Sequence, residues 1–172
     1  QHLEITRDIA SRFNHKYPNS FVLPETKVDE RVMIVPGTDG QKMSKSYDNF
    51  IDIFQSDKKL RKQIMGIKTD STPMEDSKDA KTCNIYKIYK LLSTEQQAAA
   101  LCDKYSGGNY GFGHAKQELF ELIIDKFSAE REKFIHLMEN KEIIDAALEK
   151  GAVKARVIAK EVLQRVRQNI GY

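Results

Sequence analysis

Long apolar runs are missing from this chain of 172 residues. Stretches such as Val32 to Pro36 last only a few residues, far short of the roughly 20 that a membrane-spanning helix needs. Cysteine is scarce. Cys83 and Cys102 sit in separate segments that read as helical, which favours reduced thiols over a disulfide scaffold. No Cys/His cluster has metal-ligand spacing. No basic stretch followed by an apolar one opens the chain, so no secretory signal is visible and the expected compartment is the cytoplasm. Neither charge sign dominates: 28 basic residues against 25 acidic leave a net charge of +3, too little to name a partner by itself. There is no internal repeat and no low-complexity tract. The first residue is Gln1 rather than Met, which points to a processed N-terminus or to a piece of something longer.

What remains is the composition of a soluble globular protein. Hydrophobic residues make up 40% and charged residues 31%, a balance that argues against wholesale disorder. The opening Gln1 to Lys16 reads as a helix with Leu3, Ile9, Ala10 and Phe13 broadly on one face, stopped by Pro18. Tyr17 to Glu30, with two prolines, reads as a connecting excursion. Val32-Met33-Ile34-Val35 is mostly β-branched and reads as a buried strand of an α/β sheet, followed by a mobile loop, Pro36-Gly37-Thr38-Asp39-Gly40.

Beyond about Ser56 the pattern is helical. Leu60, Ile64 and Ile67 mark one helix, with Ser56 or Asp57 as its cap. Thr69 to Lys81 reads as a loop. Ile85, Ile88, Tyr89 and Leu92 mark a second helix. Thr94 and Gln97 have the form of a capping box for a third, ending near Gly107-Gly108. Phe112 to Met138 supports a long helix with Ala115, Leu119, Leu122, Ile123 and Phe127 inward and a break near Ser128. The last segment runs from Lys141 to the end, with a break expected at Gly151 and a stripe of Ile158, Val162, Val166 and Ile170. The chain is therefore mainly α. Its single strand cannot satisfy its own backbone groups, which is a second hint of missing neighbours.

Chemistry concentrates in Lys42-Met43-Ser44-Lys45-Ser46. Two lysines bracket a serine on a segment that leaves a strand through a glycine-containing loop, so the backbone can close over a ligand. Lysine is a compact charge suited to polyphosphate, and hydroxyls and loop N–H groups can donate to phosphate oxygens. Such an arm would stabilise charge developing on a departing pyrophosphate, acting most strongly in the transition state. A generic Lys-x-x-Lys is usually a solvated loop. The full five-residue string has a chance occurrence of about one in ten thousand in a chain this long.

That string is the signature loop of class I aminoacyl-tRNA synthetases, and its surroundings resemble the bacterial-type tryptophanyl-tRNA synthetases. Gln1-His2-Leu3-Glu4, Thr6 to Ala10 and Arg12-Phe13-Asn14 are similar to the helix that follows the substrate-binding motif of that family. Arg31-Val32-Met33 matches the strand end that meets adenine. Ile85-Tyr86, Tyr110-Gly111, Gly151-Ala152 and Lys154-Ala155 recur in its helical part. The resemblance implies the C-terminal remnant of a Rossmann-type α/β nucleotide-binding domain over residues 1–55, with one or two strands. An α-helical, anticodon-binding-like bundle follows over 56–172. It implies activation of tryptophan by ATP, with Mg²⁺ on the phosphates, and transfer to tRNA(Trp). Lys42 and Lys45 would contact the phosphates as catalytic groups, Lys45 foremost. Ser44 and Ser46 would support the loop or donate to phosphate. Met43 would lie by the adenosine, and Val32 would offer backbone hydrogen bonds to adenine. The loop would close as a lid.

The sequence also departs from that family. The His-Ile-Gly-His-like motif, which brings a helix N-terminus to the phosphates, is absent, and Gly111-Phe112-Gly113-His114 reads instead as a helix-start turn. The Gly-x-Asp-Gln motif, expected just before Gln1, is absent too. The expectation is therefore a C-terminal half, inactive alone, from a homodimeric enzyme whose interface lies largely elsewhere. Charge is uneven. Lys42 to Lys68 holds seven basic and three acidic residues, and Lys150 to Arg167 six against one, which suits a tRNA or an ordinary solvated face. His2 is either an active-site orienter or structural. Tyr86, Tyr89 and Phe120 read as core rather than as base-stacking platforms. Ser106 to Gly113 is no phosphate loop, since it lacks the Lys-Ser/Thr ending. Two rivals remain: a tyrosyl-tRNA synthetase, and a non-catalytic helical RNA-binding module that kept the lysine loop by descent.

Overall fold

The computed structural model describes residues 2–27 and 34–172. Among them are seven α-helices: α1 (His2–Lys16), α2 (Asp57–Met65), α3 (Asn84–Leu92), α4 (Glu95–Ser106), α5 (Phe112–Lys126), α6 (Ser128–Glu139) and α7 (Lys141–Ile170). A single 3₁₀ turn spans Lys45–Tyr47. The described residues contain no named strand, only an isolated antiparallel bridge between Pro36 and Lys42. The chain divides into two compact units, residues 30–136 and residues 1–29 with 137–172.

The unit of residues 30–136 holds the core. Leu60 and Ile64 of α2, Ile85 and Ile88 of α3, Leu101 and Tyr105 of α4, and Ala115, Leu119 and Ile123 of α5 are all buried in one cluster. These are the apolar positions of the helical pattern, spaced three and four apart so that each helix turns one stripe inward. Helix α5 packs against both α2 and α3, and α3 also packs against α4. The helix ends follow the expected chemistry. Thr94 and Gln97 form a complete capping box at the start of α4. Gly111 is the N-cap of α5, and its N–H donates to His114 Nδ1 at 3.4 Å. The expected break near Ser128 lies between α5 and α6, at Phe127.

The polar segment from Thr69 to Lys81 is tied down by one buried cation. Lys78 is 6% exposed. Its ammonium donates to the carbonyls of Pro73 at 2.7 Å, Asp76 at 2.9 Å and Met74 at 3.2 Å, and it lies 5.4 Å from the centre of the Phe112 ring. All three ammonium protons thus find acceptors, which is what lets a lysine be buried at all. The thiols of Cys83 and Cys102 are unpaired. Cys83 caps α3 rather than lying within it, and its sulfur sits 3.3 Å from the Tyr105 hydroxyl.

The other unit is organised by polar contacts. The Asn14 side chain makes a reciprocal pair with Phe21, accepting from its N–H at 2.8 Å and donating to its carbonyl at 2.7 Å. Phe13 packs against Tyr17 at a tilt and against Phe21 edge to face, each ring centre 5.0 Å away. The fully buried Ser20 hydroxyl donates to the Tyr17 carbonyl at 2.8 Å and accepts from Asn169 of α7 at 2.7 Å, while Arg165 Nε donates to the Ser20 carbonyl at 2.9 Å. Leu3 and Ile9 of α1 are exposed, so that helix keeps its predicted span but buries only Ala10 of its apolar face.

Two expectations are corrected. The strand expected over 32–35 is not formed by its described half: Ile34 and Val35 are exposed and lie in no ladder, since no second strand is present among the described residues to pair with them. Val32 and Met33 lie outside the described residues. The break expected at Gly151 does not occur, and α7 runs unbroken through it. One glycine inside a helix costs about 1 kcal/mol relative to alanine, and the alanine, lysine and arginine around Gly151 are strong helix formers that outweigh it. The stripe of Ile158, Val162, Val166 and Ile170 is only partly covered, with Ile158 66% exposed.

Candidate functional site: the lysine loop

The loop from Val35 to Asn49 folds back on itself. Met43 N–H donates to the Val35 carbonyl at 2.8 Å and Gly37 N–H to the Gln41 carbonyl at 2.7 Å, which closes a tight turn around Gly40, a glycine with φ +87°. That left-handed conformation suits a residue without a Cβ. The chain then passes through Lys42 and Met43 into the 3₁₀ turn. Ser44 caps the turn, its hydroxyl accepting from the Ser46 N–H at 3.2 Å. Asp48 leaves it in the left-handed region at φ 52°.

Asn49 occupies the middle of this loop, 2% exposed. Its Oδ1 accepts from the Ser44 N–H at 2.7 Å, and its Nδ2 donates to the Lys42 carbonyl at 3.1 Å and to Asp39 Oδ1 at 2.8 Å. Asp39 Oδ1 also accepts from the Gln41 N–H at 3.0 Å. The Asn49 amide, the backbone donors of the turn and the charge of Lys68 together hold the Asp39 carboxyl below the usual carboxylate range. The Thr38 N–H returns the link by donating to the Asn49 carbonyl at 2.8 Å. Gly37 lies so close beneath Asn49 that a Cβ built on it would sit 2.5 Å from the Asn49 side chain.

Lys42, Lys45 and Ser46 are exposed, while Met43 and Ser44 are half-buried. Neither lysine has an ion-pair partner among the described residues. The loop therefore fixes its backbone through Ser44, Asn49 and Asp39 and leaves two ammonium groups three residues apart in solvent, free to meet an anion. The base of the loop is fastened within the same unit, by Asn84 Nδ2 donating to the Gly37 carbonyl at 2.9 Å and by the Lys68 N–H donating to the Thr38 carbonyl at 2.8 Å. Val32 lies outside the described residues.

Sequence reading missed Asn49, Asp39 and Asn84. The signal for Asn49 was present: an asparagine two residues beyond a serine-capped turn is the residue type that bonds nearby backbone from its side chain. Of the cations in the two basic segments, Lys58, Lys59, Arg61 and Lys62 of α2 are exposed, and Arg61 lies over the Phe120 ring. In α7, Lys150, Lys154, Arg156, Lys160 and Arg167 are exposed, while Arg165 is engaged with Ser20. No group of three or more His, Cys, Asp or Glu able to hold a metal ion occurs among the described residues. No helix among them is long and apolar enough to cross a membrane.

The sequence pattern of the family described as "tRNA synthetases class I (W and Y)" matches residues 1–128. Curated relatives include the tryptophan–tRNA ligase of Campylobacter jejuni (strain RM1221), 48% identical over 171 residues, which span 99% of this chain and 54% of the relative. That of Fusobacterium nucleatum is 46% identical over 172 residues, 99% of this chain and 53% of the relative. A crystal structure of tryptophanyl-tRNA synthetase from Campylobacter jejuni complexed with ADP and tryptophan superposes with a TM-score of 0.86 at 48% identity, over 99% of this chain and 54% of that one. The chain spans about half the length of the curated relatives it matches. With three quarters of its length inside the family pattern, and its lysine loop held out on a built turn, the chain belongs to the class I tRNA synthetases of the tryptophan and tyrosine group.

Proposed function

We propose that the chain supplies the phosphate-contacting loop and the helical tRNA-binding part of a tryptophanyl-tRNA synthetase. The reaction is ATP plus tryptophan to tryptophanyl-adenylate and pyrophosphate, followed by transfer to tRNA(Trp). The observation that carries this reading is the geometry of Lys42-Met43-Ser44-Lys45-Ser46: a clamped backbone presenting two exposed ammonium groups, without an ion-pair partner among the described residues, and a serine hydroxyl. Tryptophan is favoured over tyrosine because the relatives at 46–48% identity are named tryptophan–tRNA ligases.

In this reading Lys45, with Lys42, neutralises charge that builds up on the α–β bridging oxygen as pyrophosphate leaves. Ser46 donates to a phosphate oxygen, while Ser44 holds the turn. Met43 and the backbone of Val32 border the adenosine. Mg²⁺ arrives on the ATP phosphates as part of the substrate. Residues 1–55 are the nucleotide-binding part and 56–172 the anticodon-side bundle, whose exposed α7 cations face the tRNA backbone. The whole enzyme is a cytoplasmic homodimer. The exposed Leu3, Ile5 and Ile9 of α1 fit a helix that packs on further chain in the full-length enzyme.

ATP–pyrophosphate exchange tests the reading. The 172-residue chain alone is expected to give no enzyme-like exchange, and the same chain at the length of its relatives is expected to give tryptophan-dependent exchange. Tyrosine-dependent exchange, or none at that length, would refute it.

A further inference from the structure

Beyond the lysines themselves, we infer that Asn49 is a positioning residue, oriented by Asp39, that sets the register of Lys42 and Lys45 by clamping the backbone on both sides of Met43. The inference rests on the lysines acting on phosphate.

The clamp is unusual in what it grips. The carbonyl of Lys42 and the N–H of Ser44 flank Met43 and point the same way, as the backbone groups of an extended residue do. In a sheet they would be met by a neighbouring strand. Here a single side-chain amide meets both, donating to Lys42 at 3.1 Å and accepting from Ser44 at 2.7 Å. Met43's own N–H is held by Val35 on the other side. The peptide units before and after Met43 are therefore fixed: the first carries Lys42, and the second leads through Ser44 into the turn that begins at Lys45.

An amide can do this only in one of its two flipped orientations. Asp39 selects it: a carboxylate is acceptor-only, so the group facing it at 2.8 Å must be the Asn49 NH₂. That leaves Oδ1 for the Ser44 N–H. A carboxylate repels phosphate, and Asp39 Oδ1 is already taken up by Asn49 Nδ2 and the Gln41 N–H. Its charge thus orients the clamp rather than meeting substrate. Asn49 fills the space over Gly37, packed as closely as the absence of a Cβ there allows. The inferred role is to hold the spacing of the two lysines against a ligand.

The variants separate this role from simple folding. Asn49→Asp keeps the acceptor for Ser44 but loses the donor to Lys42 and places a carboxylate against Asp39. Asp39→Asn added to it removes that repulsion and restores a donor–acceptor pair between the two side chains. At the length of the relatives, we expect Asn49→Asp to lower kcat for ATP–pyrophosphate exchange by about 100-fold, the loss that a misplacement of roughly 1 Å produces, with the KM for tryptophan unchanged. The double variant should recover part of that loss.

In the 172-residue chain, the Ser44 amide should lose its hydrogen-exchange protection in Asn49→Ala while the Leu119 amide keeps it. Lys45→Ala is measured alongside. If Lys45→Ala abolishes exchange turnover and Asn49→Asp leaves kcat intact, the clamp is wrong and the lysine reading stands. If neither variant affects turnover, both fall. Equal losses in Asn49→Asp and in the double variant would overturn the part given to Asp39.

Discussion

Asn84, the first residue of α3, donates from Nδ2 to the carbonyl of Gly37 at 2.9 Å, joining positions 47 residues apart. The bond fastens the base of the lysine loop to a helix whose next residue, Ile85, is fully buried. Loop position is thereby referenced to the helical core. Replacing Asn84 with Ala removes the donor and leaves the Gly37 carbonyl without it. A loss of about 1 kcal/mol is expected, read as a lower urea midpoint by circular dichroism, with faster amide exchange at Gly37 and Thr38.

Gly37→Ala should be worse than its size suggests. The added methyl would meet Asn49 carbon and nitrogen atoms at 2.5 Å, and the Asn49 backbone oxygen at 2.6 Å. Overpacking of this kind costs about 1–3 kcal/mol. Gly151→Ala is the opposite case. Nothing lies within 4 Å of its Cβ position, and the residue sits inside α7. Alanine there should stabilise the helix by about 0.5–1 kcal/mol. Thermal denaturation of the two variants should shift in opposite directions.

Leu119→Ala tests where the core sits. Leu119 is fully buried in the cluster shared by α2, α3, α4 and α5. Its truncation should cost about 2–5 kcal/mol. Leu163→Ala in α7, where the side chain is 47% exposed, should change stability by less than about 0.5 kcal/mol. Chemical denaturation followed at the helical band separates them.

Asp39 predicts an acid-sensitive loop. Its carboxyl is held below its ordinary value of 3.8, first by the Asn49 amide and then by backbone N–H groups. A group whose folded pKa is lowered adds its stabilisation above the ordinary value and loses it as pH falls through the lower, folded one. Protection of the Ser44 amide should therefore be full above pH 3.8 and fall below it. Asp39→Asn should remove that acid step, read from protection factors across the acid range.

The helical core was legible because it obeys a period. Leu60, Ile64, Ile85, Ile88, Ala115, Leu119 and Ile123 recur at helical spacing, and all are buried, while Ile67 is buried beyond the end of its expected helix at Met65. The capping box at Thr94 and the break near Ser128 were legible for the same local reason. What failed depended on partners that periodicity does not report. Ile34 and Val35 look like a strand, yet a strand needs a neighbour. Gly151 looks like a stop, yet its neighbours favour helix strongly enough to run through it. At the lysine loop, the charged residues announced themselves in five letters. The Asn49–Asp39 pair did not: asparagine suits a turn, but a partner ten residues away carries no period and gains its meaning only when the fold brings the two within 2.8 Å.

The central claim is that Lys45 acts on the phosphates in the transition state. The most direct measurement is ATP–pyrophosphate exchange by Lys45→Ala at the length of the relatives, with kcat and the KM for tryptophan determined separately. The account predicts a fall in kcat of about 100-fold or more with the KM for tryptophan unchanged, as expected when a group binds the transition state more tightly than the ground state. An unchanged kcat, or equal losses in turnover and in tryptophan binding, would contradict it.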